Sequence, residues 1–354
     1  MPKQNFRLMF MNAENLFTPG NSFYGAKYTQ KEYDQKIDWL STMIEKQQVH
    51  VCALSEIGTD ADQCLDDIMT AVNQKEAQNN VGWPTYQYKR AFDPGSSGTQ
   101  IRVAVISRYP ISDYKSLKKY PNGFKVDLLK PGQNSSNQAN WVTVPSYEYS
   151  RPVGKATITP PGKKPFNLFV VHLKSKRPKL SSHDNDNEAI GMARSAIQRN
   201  VEAAALRYYL DTFLPAQYAA DPKIPTILVG DFNDTPHSVP IENIRGPFDK
   251  KVGPPSKWSE IDKLRLLSCG RLHLKKDAYE DKLFSYVHEE HFSLLDQAFV
   301  TQHLVNKFVR MEIYNDHVFR HQALKTGSQP DIAQQWKTTV SDHGIVLIEL
   351  KGII

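Results

Sequence analysis

Cysteine is scarce in this sequence, and long apolar runs are missing. Only 3 of the 354 residues are Cys, and no two of them form a Cys-x-x-Cys pair. The sequence therefore excludes a disulfide scaffold and argues against a structural zinc site. A transmembrane helix needs about 18 consecutive apolar residues, whereas the apolar runs here are short, as at Ile345–Ile348. No repeat of fixed period and no Pro/Gly/Ser-rich linker divides the chain.

The composition is that of a folded and slightly basic protein. The chain has 16 Phe, 16 Tyr and 5 Trp, more aromatic residues than a disordered chain carries. Lys and Arg total 44 against 38 Asp and Glu, which gives a net charge of +6. That excess is compatible with a polyanionic partner and equally typical of an ordinary basic protein. The first residues lack the apolar core of a signal peptide, and the Cys residues are typical of reduced thiols. We therefore expect a cytoplasmic protein.

Short apolar runs alternate with longer amphipathic segments. Strands are predicted at 6–11, 49–55, 103–107, 156–159, 166–172, 226–230, 296–300 and 344–350, and helices at 37–46, 64–73 and 188–214. In the last helix, the predicted buried stripe is Ile190, Ala193, Ile197, Val201, Ala204 and Tyr208. The alternation favours one layered α/β domain over residues 1–354. Irregular stretches at 114–149, 176–187, 247–257 and 314–337 are predicted to be long loops that shape a binding site.

A carboxylate and an amide follow the apolar strand at 226–230. Asp231 and Asn233 are two residues apart, so on an extended segment their side chains point the same way. Such a pair suits a hard cation bound by oxygen ligands, or the positioning of a phosphate and its attacking water. Gly, Asp and Asn are also turn formers, and an ordinary turn is the alternative.

Histidines stand at the ends of two further strands. Asp342 and His343 precede the last strand and offer a metal ligand and a general acid or base; an Asx-type turn with an exposed His is the alternative. His172 ends the strand at 166–172, where it can stabilise a phosphoryl oxygen or transfer a proton. The cations that follow it suit a phosphate backbone: Lys174, Lys176, Arg177 and Lys179. Taken alone, a core His and a solvated basic loop are favoured.

Three more strand ends carry polar groups. Glu56 follows the strand at 49–55 and is a candidate magnesium ligand, Asn12 and Glu14 close the first strand, and Asp296 begins another. Each of these has an ordinary strand terminus as its alternative. Layered α/β enzymes build active sites at strand ends on one rim of a sheet. The joint occurrence of six such ends is hard to explain by turns alone.

In this order, the polar residues resemble the endonuclease/exonuclease/phosphatase superfamily, with its DNase I-like and exonuclease III-like fold. The series that carries the resemblance is Asn12, Glu56, His172, Asp231-x-Asn233, Asp296 and Asp342-His343. It implies a four-layer α/β sandwich, with two mixed β-sheets packed face to face and helices outside. It also implies a Mg²⁺ site, in which Mn²⁺ substitutes. Glu56 would be a ligand of the metal, Asn12 would lie beside it, and Asp342 would contribute a further carboxylate.

The resemblance also implies catalytic and phosphate-binding roles. Asp231 and Asn233 would orient the water and the scissile phosphate. His343 would be the catalytic histidine, held in one tautomer by Asp296. His172 would hydrogen-bond a non-bridging phosphate oxygen or act as a second acid or base. Two cations complete the set of expected phosphate contacts: Arg151 and Lys174.

Differences between this sequence and other members of the family indicate the class of substrate. Thr235 stands where inositol-polyphosphate phosphatases have Arg, and Leu295 precedes Asp296 where they have Cys, which disfavours phosphoinositides. Gln297 replaces the usual aromatic or His. No exposed apolar hairpin stands out, so we expect no stable membrane association. The basic stretch after His172 resembles bacterial members regarded as nucleases. We therefore expect a metal-dependent nuclease acting on DNA. A small-molecule or lipid headgroup phosphate is the alternative substrate, and a non-catalytic nucleic-acid-binding module is disfavoured.

Overall fold

The computed structural model describes residues 5–23, 26–80, 82–94, 100–129, 141–143, 147–182, 185, 187–246, 264–275, 283–288, 291–318 and 339–354. The helices there are α1 (Gln30–Lys46), α2 (Ala61–Gln78), α3 (Glu188–Ala220), α4 (Val239–Arg245) and α5 (Cys269–Leu274), and a 3₁₀-helix spans Gln302–Lys307. The helix α1 begins where the sequence caps it: Thr29 and Glu32 form a reciprocal capping box.

Two six-stranded sheets form the centre of the fold. The first has the order β17-β18-β1-β4-β6-β5, and its strands are β1 (Phe6–Leu16), β4 (Val51–Ile57), β5 (Tyr88–Ala91), β6 (Arg102–Ser107), β17 (Phe308–Tyr314) and β18 (Ile345–Leu350). The second has the order β13-β16-β12-β11-β10-β7, and its strands are β7 (Ile111–Lys119), β10 (Glu148–Ile158), β11 (Phe166–His172), β12 (Thr226–Asp231), β13 (Leu266–Ser268) and β16 (Asp296–Thr301). Three two-stranded pairs complete the described set: β2 (Ser22–Phe23) with β3 (Ala26–Lys27), β8 (Asp127–Leu129) with β9 (Trp141–Thr143), and β14 (Tyr286–His288) with β15 (His291–Ser293).

Each large sheet is mixed, and its parallel pair is central. β1 pairs with β4 in parallel, and β11 with β12, while the other pairs of the two sheets are antiparallel. Parallel neighbours end at the same edge of a sheet. Each sheet therefore presents two adjacent strand ends at one edge, which is where the sequence places its polar residues.

The apolar clusters define four layers, as predicted. Buried side chains of both sheets, such as Phe10 and Val229, pack together between them. Helices α1 and α2 cover the outer face of the first sheet with apolar side chains such as Leu40. Helices α3 and α4 cover the outer face of the second sheet with side chains such as Leu206. Full burial of such a side chain contributes about 1.5–3 kcal/mol, so docking of the layers is strongly favoured.

One predicted helix face is wrong. Ile190, Ile197 and Tyr208 of α3 are exposed, although the apolar stripe was predicted to be buried. The buried face instead includes Arg199 and Glu202 together with aliphatic residues. The reason is that this face meets backbone groups at strand ends of the second sheet, which need polar partners.

The structure describes only part of the predicted long loops, and it shortens one of them. Residues 114–119 belong to β7, an edge strand with mostly polar side chains, so the loop predicted at 114–149 begins too early. Strand β10 likewise begins at Glu148. The loop at 247–257 and residues 319–337 of the last loop lie outside the described residues. Within the described part of 176–187, the chain is irregular, as expected.

Candidate active site

Three predicted site residues stand side by side at one edge of the second sheet. In the strand register, His172 on β11 is paired with Asp231 on β12, and Asp231 is paired with Asp296 on β16. All three side chains are buried. The strand pairing alone therefore brings together residues that are far apart in sequence.

A tight turn after β12 fixes the carboxylate of Asp231. Its Oδ1 accepts the backbone N–H of Asn233 at 2.8 Å, and the Asn233 Nδ2 donates to Asp231 Oδ2 at 3.1 Å and to the Leu173 carbonyl at 3.0 Å. Asn233 has a φ of +52°, a left-handed conformation that Asn tolerates. The turn is thus present, and it orients the two groups that the sequence singled out.

The end of β1 repeats this arrangement in the first sheet. The backbone N–H of Glu14 donates to Asn12 Oδ1 at 2.9 Å, and Glu14 has a φ of +45°. The Nδ2 of Asn12 lies 3.2 Å from Glu56 Oε1 and 3.3 Å from Asp231 Oδ2 and donates to both. Asn12 therefore links a carboxylate of the first sheet to one of the second.

The donor set at this junction fits a hard divalent cation. Glu56, His172 and Asp231 offer ligand atoms within 4.8 Å of one another. The Nε2 of His172 lies 3.7 Å from Glu56 Oε1 and 3.5 Å from Asp231 Oδ2, and its Nδ1 has no hydrogen-bond partner among the described residues. The two carboxylates offer oxygen ligands of the kind Mg²⁺ and Mn²⁺ prefer, and the Asn12 amide donates to both of them.

Asp342 is not part of the cluster of ligand atoms that contains Glu56. It precedes His343, and its charge acts on Lys36, Tyr286, His317 and His343. Neither of the two groups of ligand atoms found among the described residues includes it. Its role as a metal ligand stays a prediction.

His343 and Asp296 form a buried pair. The Nδ1 of His343 lies 2.8 Å from Asp296 Oδ2, and the backbone N–H of His343 donates to Ser341 Oγ at 3.0 Å. Burial opposes the charge of the ring, but Asp296 and Asp231 outweigh burial and raise the pKa of His343 well above its ordinary value. This shift favours the imidazolium form of the ring, in which Nδ1–H donates to Asp296.

Burial shifts the pKa values of two neighbouring groups, Asp231 and His172, in opposite directions. Burial raises the pKa of Asp231 to about 7, with His343 opposing the shift and Asp296 adding to it. Burial also lowers the pKa of His172 well below its ordinary value, and the nearby positive charges of Arg151 and His343 add to this. The site thus holds a neutral imidazole, an imidazolium and a carboxyl that ionises near neutrality, which are the groups acid–base chemistry needs.

Arg151 and Lys174 lie on the His172 side of the site. The Nη1 of Arg151 donates to the Leu173 carbonyl at 3.2 Å, and the Lys174 Nζ donates to the Ser175 carbonyl at 3.0 Å. Burial and the adjacent charge of Arg151 lower the pKa of Lys174 to about 8. Two cations held this close form a favourable position for an anion.

Several supporting residues escaped the sequence analysis. The ring of Tyr286 lies 4.9 Å from the ring of His343. Ser285 Oγ accepts the backbone N–H of Asp296 at 2.9 Å, and His317 Nε2 donates to the His343 carbonyl at 2.8 Å. The buried Lys36 Nζ donates to the Glu14 carbonyl at 2.9 Å. Tyr286 is on a short hairpin with Ser285 just before it, and His317 and Lys36 are on helical residues, where no sequence pattern marks them.

The solved structures most informative for the fold share little sequence with the chain. The truncated TDP2 of Caenorhabditis elegans is 10% identical with a TM-score of 0.53, and 98% of each chain is covered. A functionally unknown conserved protein of Enterococcus faecalis V583 is 12% identical (TM-score 0.50; 98% of this chain and 100% of that chain). An endonuclease/exonuclease/phosphatase of Bacteroides vulgatus is 12% identical (TM-score 0.50; 99% of each chain). Such identities show the fold alone.

The family comparison covers most of the chain. The model of the Endonuclease/Exonuclease/phosphatase family matches residues 28–343, whereas a comparison with curated proteins gives no match. The matched span includes the strand ends that carry Glu56, His172, Asp231, Asp296 and His343. With the two mixed sheets and the site at their edge, the chain therefore belongs to the endonuclease/exonuclease/phosphatase family.

Proposed function

We propose that this protein is a divalent-metal-dependent phosphodiester hydrolase that cleaves DNA. Members of the family are generally phosphoester hydrolases that depend on a divalent metal. The observation that carries the proposal is the buried His343–Asp296 pair beside Asp231, with the carboxylate of Glu56 across from it. This places an acid–base pair next to a set of oxygen ligands.

Glu56 would hold Mg²⁺ or Mn²⁺, with Asn12 beside it and Asp342 as a further carboxylate. When bound, such an ion withdraws charge from the phosphate oxygens and so stabilises the transition state. Asn12 orients Glu56, because its amide donates to the Glu56 carboxylate. The left-handed backbone of Glu56, at a φ of +58°, sets the direction in which this side chain leaves β4.

Asp231 is the proposed acceptor of the proton from the attacking water. A carboxyl group with a pKa of about 7 ionises near neutrality and is a stronger base than an exposed Asp. Asn233 holds its orientation through the 2.8 Å and 3.1 Å contacts. The carboxylate and the amide at this strand end therefore have separate proposed roles: Asp231 accepts the proton, and Asn233 holds Asp231 in place.

His343, His172 and Arg151 are proposed to stabilise the phosphate. The imidazolium of His343 stabilises negative charge as it develops, and Asp296 keeps that ring charged and oriented. His172 is neutral and serves as a hydrogen-bond donor to a non-bridging oxygen. Arg151, whose buried Nε has no hydrogen-bond partner among the described residues, would bind a further phosphate oxygen through the rest of its guanidinium.

Support for a nucleic-acid substrate comes from charge near the site. Lys174 is followed by Lys176, Arg177 and Lys179 in one short segment, and the chain as a whole carries +6. Consecutive cations beside a phosphate position suit a polymer with one phosphate per nucleotide better than a single headgroup. Phosphate contacts of this kind position a substrate without reading its sequence.

The test is nicking of supercoiled plasmid beside hydrolysis of bis-(p-nitrophenyl) phosphate, with Mg²⁺, Mn²⁺ or EDTA. Asp231→Ala and His343→Ala should abolish both reactions. His303→Ala is the matched control, because the 3₁₀-helix that holds His303 follows β16 at the edge opposite Asp296.

The outcomes separate chemistry from substrate. Nicking that persists in both Asp231→Ala and His343→Ala contradicts the assignment of the site. Hydrolysis of the small diester without plasmid nicking keeps the site and rejects DNA, which turns the search to RNA and to headgroup or other small phosphoesters.

A further inference from the structure

Glu202 is a fully buried carboxylate on α3, bonded to the backbone at Lys174 and next to Arg151, the two cations proposed to bind phosphate. Its Oε1 accepts the backbone N–H of Ser150 at 2.8 Å, and its Oε2 accepts the backbone N–H of Lys174 at 2.8 Å. Gln198, one turn earlier, donates to Oε1 at 3.3 Å. The side chain is 0% exposed. Both oxygens are thus occupied, one by a donor on β10 and one by a donor two residues past the end of β11.

The strand register explains why a carboxylate is needed there. β10 and β11 pair as an antiparallel ladder that extends to Gly154 opposite Val170. Continued by four residues, the same register places Ser150 opposite Lys174. The ladder hydrogen bonds have stopped by then, and Glu202 accepts the two N–H groups instead. Its carboxylate therefore holds the two strands at a fixed separation where they diverge.

A second residue of the same helix face holds the other side of Lys174. The Nη1 of Arg199 donates to the Lys174 carbonyl at 3.2 Å, and its Nε donates to Asp234 Oδ2 at 2.8 Å. Ser195 Oγ donates to the Arg177 carbonyl at 2.7 Å. The buried polar face of α3 therefore fixes the backbone of the basic segment that begins at Lys174.

Glu202 also offsets a repulsion between the two cations. Its partners are the backbone N–H of Lys174 itself and that of Ser150, next to Arg151, so one negative charge lies beside two positive ones. The carboxylate binds backbone N–H groups only. The Lys174 Nζ is held by the Ser175 carbonyl at 3.0 Å and by Ser175 Oγ and the Arg177 carbonyl, each at 3.2 Å, and a phosphate oxygen would replace one of these acceptors. A buried charge is costly to keep, and here it stabilises two like charges side by side.

We propose that Glu202 is a positioning residue that makes Arg151 and Lys174 a paired subsite for one phosphate group of the substrate. The inference rests on the proposed function, since it assumes that these two cations bind phosphate. It assigns Glu202 no contact with substrate. Its effect belongs to phosphate binding, whereas Asp231 and His343 act on the chemical step.

The test compares Glu202→Gln with wild type. Gln keeps the size of the side chain but has one acceptor oxygen, so one of the two N–H groups loses its partner. We expect the affinity for inorganic phosphate, measured by calorimetry in EDTA, to fall about tenfold. KM for bis-(p-nitrophenyl) phosphate should rise by a similar factor, with kcat within about threefold. Glu188→Gln, an exposed position at the start of the same helix, should match wild type.

A double variant shows whether the effect passes through Arg151. In an Arg151→Gln background, Glu202→Gln should weaken phosphate binding much less than it does alone, because the subsite is already impaired. Equal loss in both backgrounds overturns the proposal. If Glu202→Gln folds poorly, Glu202→Asp replaces it, since that side chain keeps the charge but is too short to reach both N–H groups.

The remaining outcomes are distinct. A variant with a lower Tm and kcat but unchanged phosphate affinity shows a purely structural role and overturns the inference. If wild type binds phosphate and hydrolyses the diester while Glu202→Gln is unaffected, the inference fails and the proposed function stands. A wild type that neither binds phosphate nor hydrolyses a phosphoester fails the proposed function itself.

Discussion

Three residues at the site hold a backbone conformation that non-glycine residues rarely adopt. Glu14, Glu56 and Asn233 have φ values of +45°, +58° and +52°. Asn accepts this conformation readily, but each Glu costs about 1–2 kcal/mol. Such strain persists only where surrounding contacts enforce it. For Glu14 these contacts are the hydrogen bonds of its backbone with Asn12 and Lys36. They fix the direction of the acidic side chain at a cost in folding stability.

Asp296→Asn should nearly abolish turnover and leave the fold intact. The amide cannot keep the His343 ring charged, although it can still bond to Nδ1. We expect kcat for bis-(p-nitrophenyl) phosphate to fall by about 10²–10⁴-fold. Asp38→Asn, at an exposed position on α1, is the control. Turnover within threefold of wild type in Asp296→Asn would mean that the pair is not catalytic.

His50 should make the protein sensitive to mild acid. Burial and then Arg108 lower its pKa to about 3, so the folded state keeps the ring neutral while the unfolded state, with a pKa of about 6.5, takes up a proton. The folded pKa is the lower one. The contribution of His50 to stability is therefore nearly constant above about pH 7 and falls as the pH decreases towards 3. Between pH 7 and pH 5, the expected loss due to His50 is about 2 kcal/mol.

Urea unfolding at pH 7 and pH 5 measures this effect. His50→Gln keeps an acceptor for the backbone N–H of Arg7, which His50 Nδ1 accepts at 3.1 Å, and it removes the titration. The variant should lose about 2 kcal/mol less than wild type between the two pH values. An identical loss in both proteins would show that other groups account for the acid sensitivity.

At the scale of the element, β12 depends on one glycine. A Cβ at Gly230 would lie 2.0 Å from the Val171 carbonyl oxygen on β11, and backbone cannot move aside as a flexible side chain can. Gly230→Ala should destabilise the protein by about 1–3 kcal/mol or more. Because Asp231 and His172 are register partners next to this contact, kcat should fall as well. Thermal unfolding and turnover measure the two effects.

Gly82→Ala is the matched control for that substitution. A Cβ there has no heavy atom within 4 Å, so stability should change by less than about 0.5 kcal/mol. If Gly230→Ala is as well tolerated as Gly82→Ala, β11 and β12 are less tightly paired than the register implies.

The elements differ in how well the sequence predicts them. β4 and β12 are buried on both faces and read as continuous apolar runs, so their positions were predicted closely. β5 and β7 lie at sheet edges with half-exposed polar residues, and no apolar run marks them. The order of polar strand ends predicted which residues lie together at these strand ends, and their catalytic roles stay a prediction. Glu202 and Lys36 were missed because a charged residue on a helix ordinarily lies in solvent, and only tertiary packing buries it.

At the scale of the molecule, the site is shared between the two sheets. Asn12 and Glu56 come from the first sheet, and His172, Asp231 and Asp296 come from the second. The contact of Asn12 with both Glu56 and Asp231 crosses that boundary. A ligand of this site therefore binds the folded state alone.

No helix among the described residues is long and apolar enough to cross a membrane.

Mg²⁺ should raise the thermal stability of the protein, and EDTA should reverse the increase. With a Kd of about one tenth of the added concentration, the stabilisation is about 1.4 kcal/mol. Glu56→Gln should lose this shift because it removes a carboxylate ligand. Glu45→Gln, on the exposed side of α1, should retain it. A shift of equal size in Glu56→Gln would place the metal elsewhere.

The bridge that Asn12 makes between the sheets has a further consequence. Because each sheet supplies only part of the proposed reacting groups, one sheet alone should not form a working site. An expanded state that keeps its helices and strands but separates the sheets would be inert while its far-ultraviolet circular dichroism stays near native. Turnover is thus an assay of sheet docking, and it should vanish before secondary structure does.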